Sequence, residues 1–326
     1  MESAEKCGDV RKIDLTVEVA GIAMKNPVMP ASGTFGFGRE YSGFLDLNRL
    51  GAIVTKGLTL TPKDGNAPPR VYETAAGMLN SVGLQNPGAD KFIQEELPFL
   101  AQFSVPVIVN IDGDFVEQYR KIAERLSRVG NISGIEVNIS CPNVEKGGLA
   151  FGQDPASAYK VVKAVREATD LPVIAKLSPN VTSIADIAKA AVSAGADAVS
   201  LINTVLGMAI DIDGKKPVFE RKFAGLSGPA VKPLALRMVW EVYEAVDVPI
   251  IGMGGISSAE DAIQFLMAGA TAVAVGTANF INPRIMVDII DGLYSYLNTK
   301  FRPIDNTARG DCVSIKEIIG IAHKKD

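Results

Sequence analysis

The chain has 326 residues, 47% of them hydrophobic, with 31 glycines and a formal net charge of −4. That charge gives no ground for bulk affinity to nucleic acid or anionic membranes, and no apolar run is long enough to span a bilayer. Three cysteines, Cys7, Cys141 and Cys312, are odd in number and widely spaced. They offer neither a disulfide framework nor a CxxC metal signature, and point to a reducing, cytoplasmic compartment with no metal site.

Residues 1–11 lack the apolar stretch of a signal peptide and read as a flexible, solvated arm. Short apolar, β-branched runs then follow at 27–31, 52–55, 107–111, 135–139, 173–177, 198–202, 249–252 and 272–275. Amphipathic stretches separate them. At 114–129, Phe115, Tyr119, Ile122, Leu126 and Val129 recur at helical spacing and draw one apolar stripe. At 183–194, Ile184, Ile187, Ala191 and Val192 do the same. Strands that are nearly uninterrupted in apolar character belong to parallel sheets covered by helices. Eight such units predict a single α/β domain over 1–326, a (β/α)8 TIM barrel, with a doubly wound open sheet as the alternative. Two long connections, 57–87 and 204–229, follow strands and so fall on the active-site face. The first holds Arg70 to Glu73 and Met78 to Asn80, able to form extra strands. The second is charged around 211–222 and is a candidate lid.

The strand at 135–139 runs into Ser140-Cys141-Pro142-Asn143. An apolar strand ending in hydroxyl, thiol and amide groups carries chemistry at its C-terminal end, where parallel barrels keep their sites; a buried cysteine in a turn is the bland reading. The only histidine, His323, lies in a lysine-rich tail, and terminal residues are usually mobile. Cys141 therefore has no predicted histidine partner, which argues against a cysteine protease and leaves a thiol acting directly as acid or base.

Strand seven runs into Gly252-Met253-Gly254-Gly255-Ile256, and strand eight into Gly276-Thr277. Glycines let a backbone approach an anion, and loops after these two strands form the usual phosphate cradle of such barrels. Ser257 and Glu260 have capping-box spacing for the helix that follows. Lys56 and Lys176 stand at strand ends, open to three readings: a Schiff-base nucleophile, a fixed charge beside an electron-rich cofactor, or an ion pair within the barrel. Ser32, Asn80, Asn110, Asn138, Asn143, Asn203 and Thr204 also fall at strand ends. Amides offer donor and acceptor side by side, matching a ring with alternating N–H and C=O such as a pyrimidine or an isoalloxazine.

Taken in order, Ala31 to Thr34, Lys56-Gly57, Asn80 to Gly88, Asn138 to Asn143, Ile202 to Thr204, Gly225 to Pro229, Gly252 to Gly255 and Gly276-Thr277 resemble the dihydroorotate dehydrogenase family, over roughly 12–298. Cysteine at 141 resembles the soluble class 1 enzymes. The stretch from Lys56 to Arg70 resembles their NAD-linked branch, family 1B, more than the fumarate-linked one. The resemblance implies FMN-dependent oxidation of dihydroorotate to orotate in de novo pyrimidine (UMP) biosynthesis, with Cys141 as general base and hydride passing to flavin N5. It places Ser32, Lys56, Gly57, Asn110, Asn138, Lys176, Ile202, Gly228, Gly254, Gly255, Gly276 and Thr277 around FMN. It places Lys56, Asn80, Ser81, Val82, Gly83, Leu84, Asn138, Asn143, Asn203 and Thr204 around the substrate. It further implies an electron-transfer subunit carrying FAD and a [2Fe–2S] cluster, and a homodimer at the core of a heterotetramer. A fumarate-linked enzyme, or a Schiff-base aldolase on the same barrel, is the alternative. Asp112 departs from the pattern, at a position expected to be small and away from the reaction centre.

Overall fold

The computed structural model describes residues 12–140, 151–301 and 312–324. Eight strands form one parallel sheet: β1 Val28–Pro30, β2 Ile53–Val54, β3 Val107–Ile111, β4 Gly134–Asn138, β5 Val173–Lys176, β6 Ala198–Leu201, β7 Ile250–Met253 and β8 Ala272–Val275. Their order runs 1-8-7-6-5-4-3-2. The remaining gap, between β1 and β2, is bridged where Gly51 N–H donates to Val28 O at 2.9 Å. Glycine is required there, because a Cβ at 51 would lie 2.1 Å from Asn26 O. The result is the predicted barrel, and each predicted strand agrees with an observed one to within one or two residues at either end.

Helices cover the outside. Val116–Leu126 buries Tyr119, Ile122, Ala123 and Leu126. The middle of the predicted stripe is thus observed, but its two ends are not on the helix: Phe115 stands at the N-cap and is exposed, and Val129 lies in the turn beyond Leu126 and is half-buried. Ile184–Ser193 begins where Ser183 accepts a hydrogen bond from Asp186 N–H. A hairpin of Val17–Val19 and Ile22–Met24 buries alternate residues under the barrel. Its Ile22 Cδ1 would lie 2.9 Å from a Cβ on Gly134, at the start of β4.

The two long connections merge. Val71–Thr74 and Gly77–Asn80 from the first, with Val205–Met208 and Phe223–Ser227 from the second, make one four-stranded antiparallel sheet. Leu79, Phe219 and Ala224 form its small core. The charged stretch inside the second connection folds as a hairpin pairing Ile210–Asp211 with Lys216–Pro217.

The C-terminal segment corrects one expectation. His323 is not a loose end: its ring stacks on Trp240 with centroids 3.4 Å apart, and its Nε2 lies 3.1 Å from Ala268 O. The mobility expected of terminal residues is overridden by this packing. Among the described residues, no helix is long and apolar enough to cross a membrane.

Candidate active site

A cavity of about 960 Å³ opens at the C-terminal ends of the barrel strands, under the antiparallel sheet. Every predicted site residue among the described ones lines it: Ser32, Lys56, Gly57, Asn80 through Leu84, Asn110, Asn138, Lys176, Ile202, Asn203, Thr204, Gly228, Gly254, Gly255, Gly276 and Thr277. Cys141 and Asn143 lie outside the described residues. A second, more open cleft of about 750 Å³ abuts the cavity and shares Lys56 with it.

Strand register assembles the cavity floor. Asn110 on β3 pairs with Glu136 on β4, Asn138 on β4 with Lys176 on β5, and Lys176 with Ser200 on β6. Since side chains alternate along a strand, Glu136 and Asn138 share a face and Ile135 and Val137 take the other. Lys176 Nζ donates to Ser32 Oγ at 2.9 Å and pairs with Glu136 Oε2 at 3.4 Å. The ion-pair reading of this lysine is thus observed, inside a wall of the cavity.

Lys56 differs. Among the described residues its ammonium has no hydrogen-bond or ion-pair partner. Burial, reinforced by the nearby charge of Arg70 and opposed by Glu40, holds it below the usual lysine range.

Above the floor, Asn138 Nδ2 donates to Asp112 Oδ2 at 2.7 Å, so its Oδ1 turns towards Asn203, whose Nδ2 donates to it at 3.1 Å. Asn203 Nδ2 also reaches Ser140 Oγ at 2.9 Å, and Asn203 Oδ1 accepts from Thr204 N–H at 2.7 Å. Asn80 Nδ2 donates to Gly225 O at 3.2 Å, tying the two insertions together. Asp112 therefore corrects the sequence reading: it is fully buried and orients a predicted site amide. Tyr119, from the outer helix, donates to Asn138 O at 2.7 Å.

The glycine loops sit at the other end. Gly254 and Gly255 have φ of +127° and +76°, and a Cβ on Gly255 would meet Lys232 Cβ at 2.8 Å and Gly228 O at 2.9 Å. Among the described residues, the backbone N–H groups of Gly254, Gly255, Gly276 and Thr277 donate to no acceptor. Thr277 Oγ1 donates to Ser227 Oγ at 2.8 Å. The predicted cap is displaced by one residue. Ser258, not Ser257, caps the helix Ala259–Met267 by accepting from Asp261 N–H. Asp261, not Glu260, reaches back: its carboxylate accepts from Ser257 N–H and Oγ, both at 2.9 Å, and from Lys232 Nζ at 2.6 Å. Both serines can cap, so spacing alone does not choose between the registers.

Sequence reasoning missed Glu136, Ser200, Tyr119 and Asn180. The signal for Glu136 was present, a lone charge inside the apolar run Ile135-Glu136-Val137. Asn180 accepts from Leu206 N–H at 2.8 Å and donates to Thr204 O at 3.0 Å, fixing the start of the second insertion. Nothing in its local sequence distinguishes it from a turn residue.

Fold and cavity together define an α/β-barrel enzyme with its site at the strand C-termini. The family model for dihydroorotate dehydrogenase matches residues 14–297. A Geotalea uraniireducens protein named dihydroorotate dehydrogenase B (NAD(+)), catalytic subunit, is 55% identical over 309 residues, covering 95% of this chain and 98% of its own. Proteins of the same name from Thermoanaerobacter pseudethanolicus and Desulforamulus reducens are 59% and 54% identical, covering 87% and 96% of this chain and 94% and 99% of their own. The chain belongs to the dihydroorotate dehydrogenase family.

Proposed function

We propose that this chain is the catalytic subunit of an NAD-linked dihydroorotate dehydrogenase, oxidising dihydroorotate to orotate in de novo pyrimidine biosynthesis with FMN as its cofactor. The observation that carries the reading is one cavity joining a glycine-lined cradle of free N–H groups to a row of oriented amides, with Lys176 in its wall. The residues fit the cofactor: Gly254, Gly255, Gly276 and Thr277 would hold its phosphate. Ser32, Lys56, Gly57, Asn110, Asn138, Lys176, Ile202 and Gly228 would surround the rest. When bound, FMN supplies the hydride acceptor.

The chain's own residues then have distinct tasks. Asn80 through Leu84, Asn138, Asn143, Asn203 and Thr204 bind the pyrimidine ring through its alternating N–H and C=O groups. The Cys141 thiolate takes the proton from the carbon next to the carbonyl as hydride leaves the neighbouring carbon. Lys56, a cation in a desolvated wall, favours an anionic substrate. The antiparallel sheet excludes water from this end.

Electrons reach NAD+ through a second subunit, carrying FAD and a [2Fe–2S] cluster, docked on a homodimer of this chain. The catalytic-subunit names of the relatives support a partner. The test is to denature the purified chain, identify the released flavin by chromatography, and assay the native chain with dihydroorotate against a dye, fumarate and NAD+. FMN, brisk dye reduction and poor NAD+ reduction are expected. FAD or no flavin overturns the cofactor assignment, and rapid fumarate reduction moves the chain to the other branch.

A further inference from the structure

Behind the cavity wall lies an ionic network to which no role has been assigned above. Glu136, in the middle of β4, has a side chain only 2% exposed, and Lys176 one only 6% exposed. Burying a carboxylate is costly unless it is paired and hydrogen-bonded, and this one is fully engaged. Its Oε1 accepts from Ser200 Oγ at 2.7 Å, and its Oε2 accepts from Asn110 Nδ2 at 2.5 Å and faces Lys176 Nζ. Asn110, Lys176 and Ser32 line the cavity, whereas Glu136 and Ser200 do not. The carboxylate therefore stands one layer behind the lysine.

We propose that Glu136 is a positioning residue and counter-charge: it fixes Lys176 Nζ in the cavity wall and cancels its charge, so that the pair presents a directed N–H donor instead of a free cation. The proposal rests on the reading that this cavity holds FMN. A free cation beside the cofactor would favour its reduced, more negative form strongly, because charge interactions are amplified away from water. A carboxylate behind that cation opposes the effect. Glu136 thereby holds the flavin midpoint potential below the value an unpaired lysine would impose. A purely structural Glu136, present only to satisfy Asn110 and Ser200, would leave the potential untouched.

Glu136→Gln separates the two roles. Glutamine has the same shape; its amide oxygen can accept from Asn110 and Lys176, and its NH2 can donate to Ser200 Oγ, which accepts as well as donates. Only the charge is lost. Bound flavin is quantified first, in wild type and variant holoenzyme, and the midpoint potential is then measured by dye-equilibrated titration from pH 6 to 9. The expected result is retained flavin and a more positive potential, equivalent to at least a tenfold change in the ratio of affinities for reduced and oxidised flavin, about 30 mV for a two-electron couple. An unchanged or lower potential at every pH, with flavin bound, overturns it. Absence of flavin from the wild type instead overturns the cofactor reading. If Glu136→Gln does not fold, the double variant Lys176→Gln/Glu136→Gln, with no unpaired buried charge, carries the test. Its potential is expected within a tenfold ratio of wild type; a larger fall would mean that the lysine charge acts uncancelled, and would overturn the proposal.

Discussion

At one end of the cavity, Gly254, Gly255 and Gly276 withdraw side chains and present backbone N–H groups. At the other, Asn80, Asn138 and Asn203 supply amides whose orientation is set by a second row: Gly225 O, Asp112 and Ser140. The first end relies on backbone conformation: Gly254 and Gly255 take positive φ, and an added Cβ would lie 2.7 Å from Ala235 Cβ at Gly254 and 2.8 Å from Lys232 Cβ at Gly255. The second offers side-chain chemistry and depends on a row behind it, of which Ser140 and Gly225 also line the cavity and Asp112 does not. Substitutions at the two ends should therefore fail in different ways: flavin loss at the glycine end, loss of turnover with flavin retained at the amide end.

The largest expected effect tests that separation directly. Cys141→Ala should lower dihydroorotate oxidation about 10²–10⁴-fold, the range for removing a positioned acid–base group, while bound flavin stays at the wild-type level. Stopped-flow reduction of the flavin by dihydroorotate is the measurement. A variant reduced at near wild-type rate would remove Cys141 from the proton transfer, and one that lost its flavin would break the comparison itself.

Gly255→Val attacks the other end. Its φ of +76° is strained for any side chain, and its Cβ would press on Lys232 Cβ and Gly228 O. Overpacking of this kind typically costs about 1–3 kcal/mol, and the strand-end N–H groups would be pushed out of line. The variant should purify with flavin depleted roughly tenfold or more by absorbance, consistent with about 1.4 kcal/mol per tenfold. A fully flavinated Gly255→Val would show that the cradle tolerates a side chain and that the phosphate sits elsewhere.

What was legible in the sequence follows the same division. The glycine end could be read because a positive φ just past a strand end, as at Gly254 and Gly255, demands one residue type. The barrel strands were equally plain, since burial on both faces removes nearly every polar residue from them. The amide end was readable only in its front row. Asp112 departs from the family pattern at a position expected to be small, and its role emerges only when β3 is set beside β4 and its carboxylate meets Asn138 Nδ2. Glu136 was overlooked because its partners, Asn110, Lys176 and Ser200, come from three other strands. Pairings across a barrel leave no local spacing to detect.

Lys56 sharpens the comparison through pH. Its ammonium is disfavoured by burial in the folded chain, so between its lowered value and the ordinary lysine value the unfolded chain binds more protons. Stability therefore rises with pH across that window, and below it the penalty is present in full. An anion bound at the amide end should favour the charged form. Orotate affinity, followed by flavin difference spectra, should thus weaken as pH rises through the window. Lys56→Met should bind orotate poorly at every pH yet melt at higher temperature than wild type without ligand. Unchanged orotate affinity in Lys56→Met would remove this lysine from the substrate site.

The smallest effect concerns the helix behind the glycine loop. Ser258 caps Ala259–Met267, while Ser257 donates its hydroxyl to the Asp261 carboxylate, which also holds Lys232. Ser258→Ala removes the acceptor for Asp261 N–H and should cost about 1 kcal/mol, the usual price of an N-cap. For a chain of this size that means a fall of a few degrees at most in the melting temperature. Ser257→Ala should cost less, because Asp261 keeps Ser257 N–H and Lys232. Neither change adds a Cβ to Gly254 or Gly255, so flavin content should stay near wild type in both. Thermal melts of the two variants, paired with flavin absorbance, decide the register: a larger loss in Ser257→Ala would return the cap to Ser257. Flavin depletion in Ser258→Ala would show that the cradle depends on the helix end behind it as well as on its own glycines.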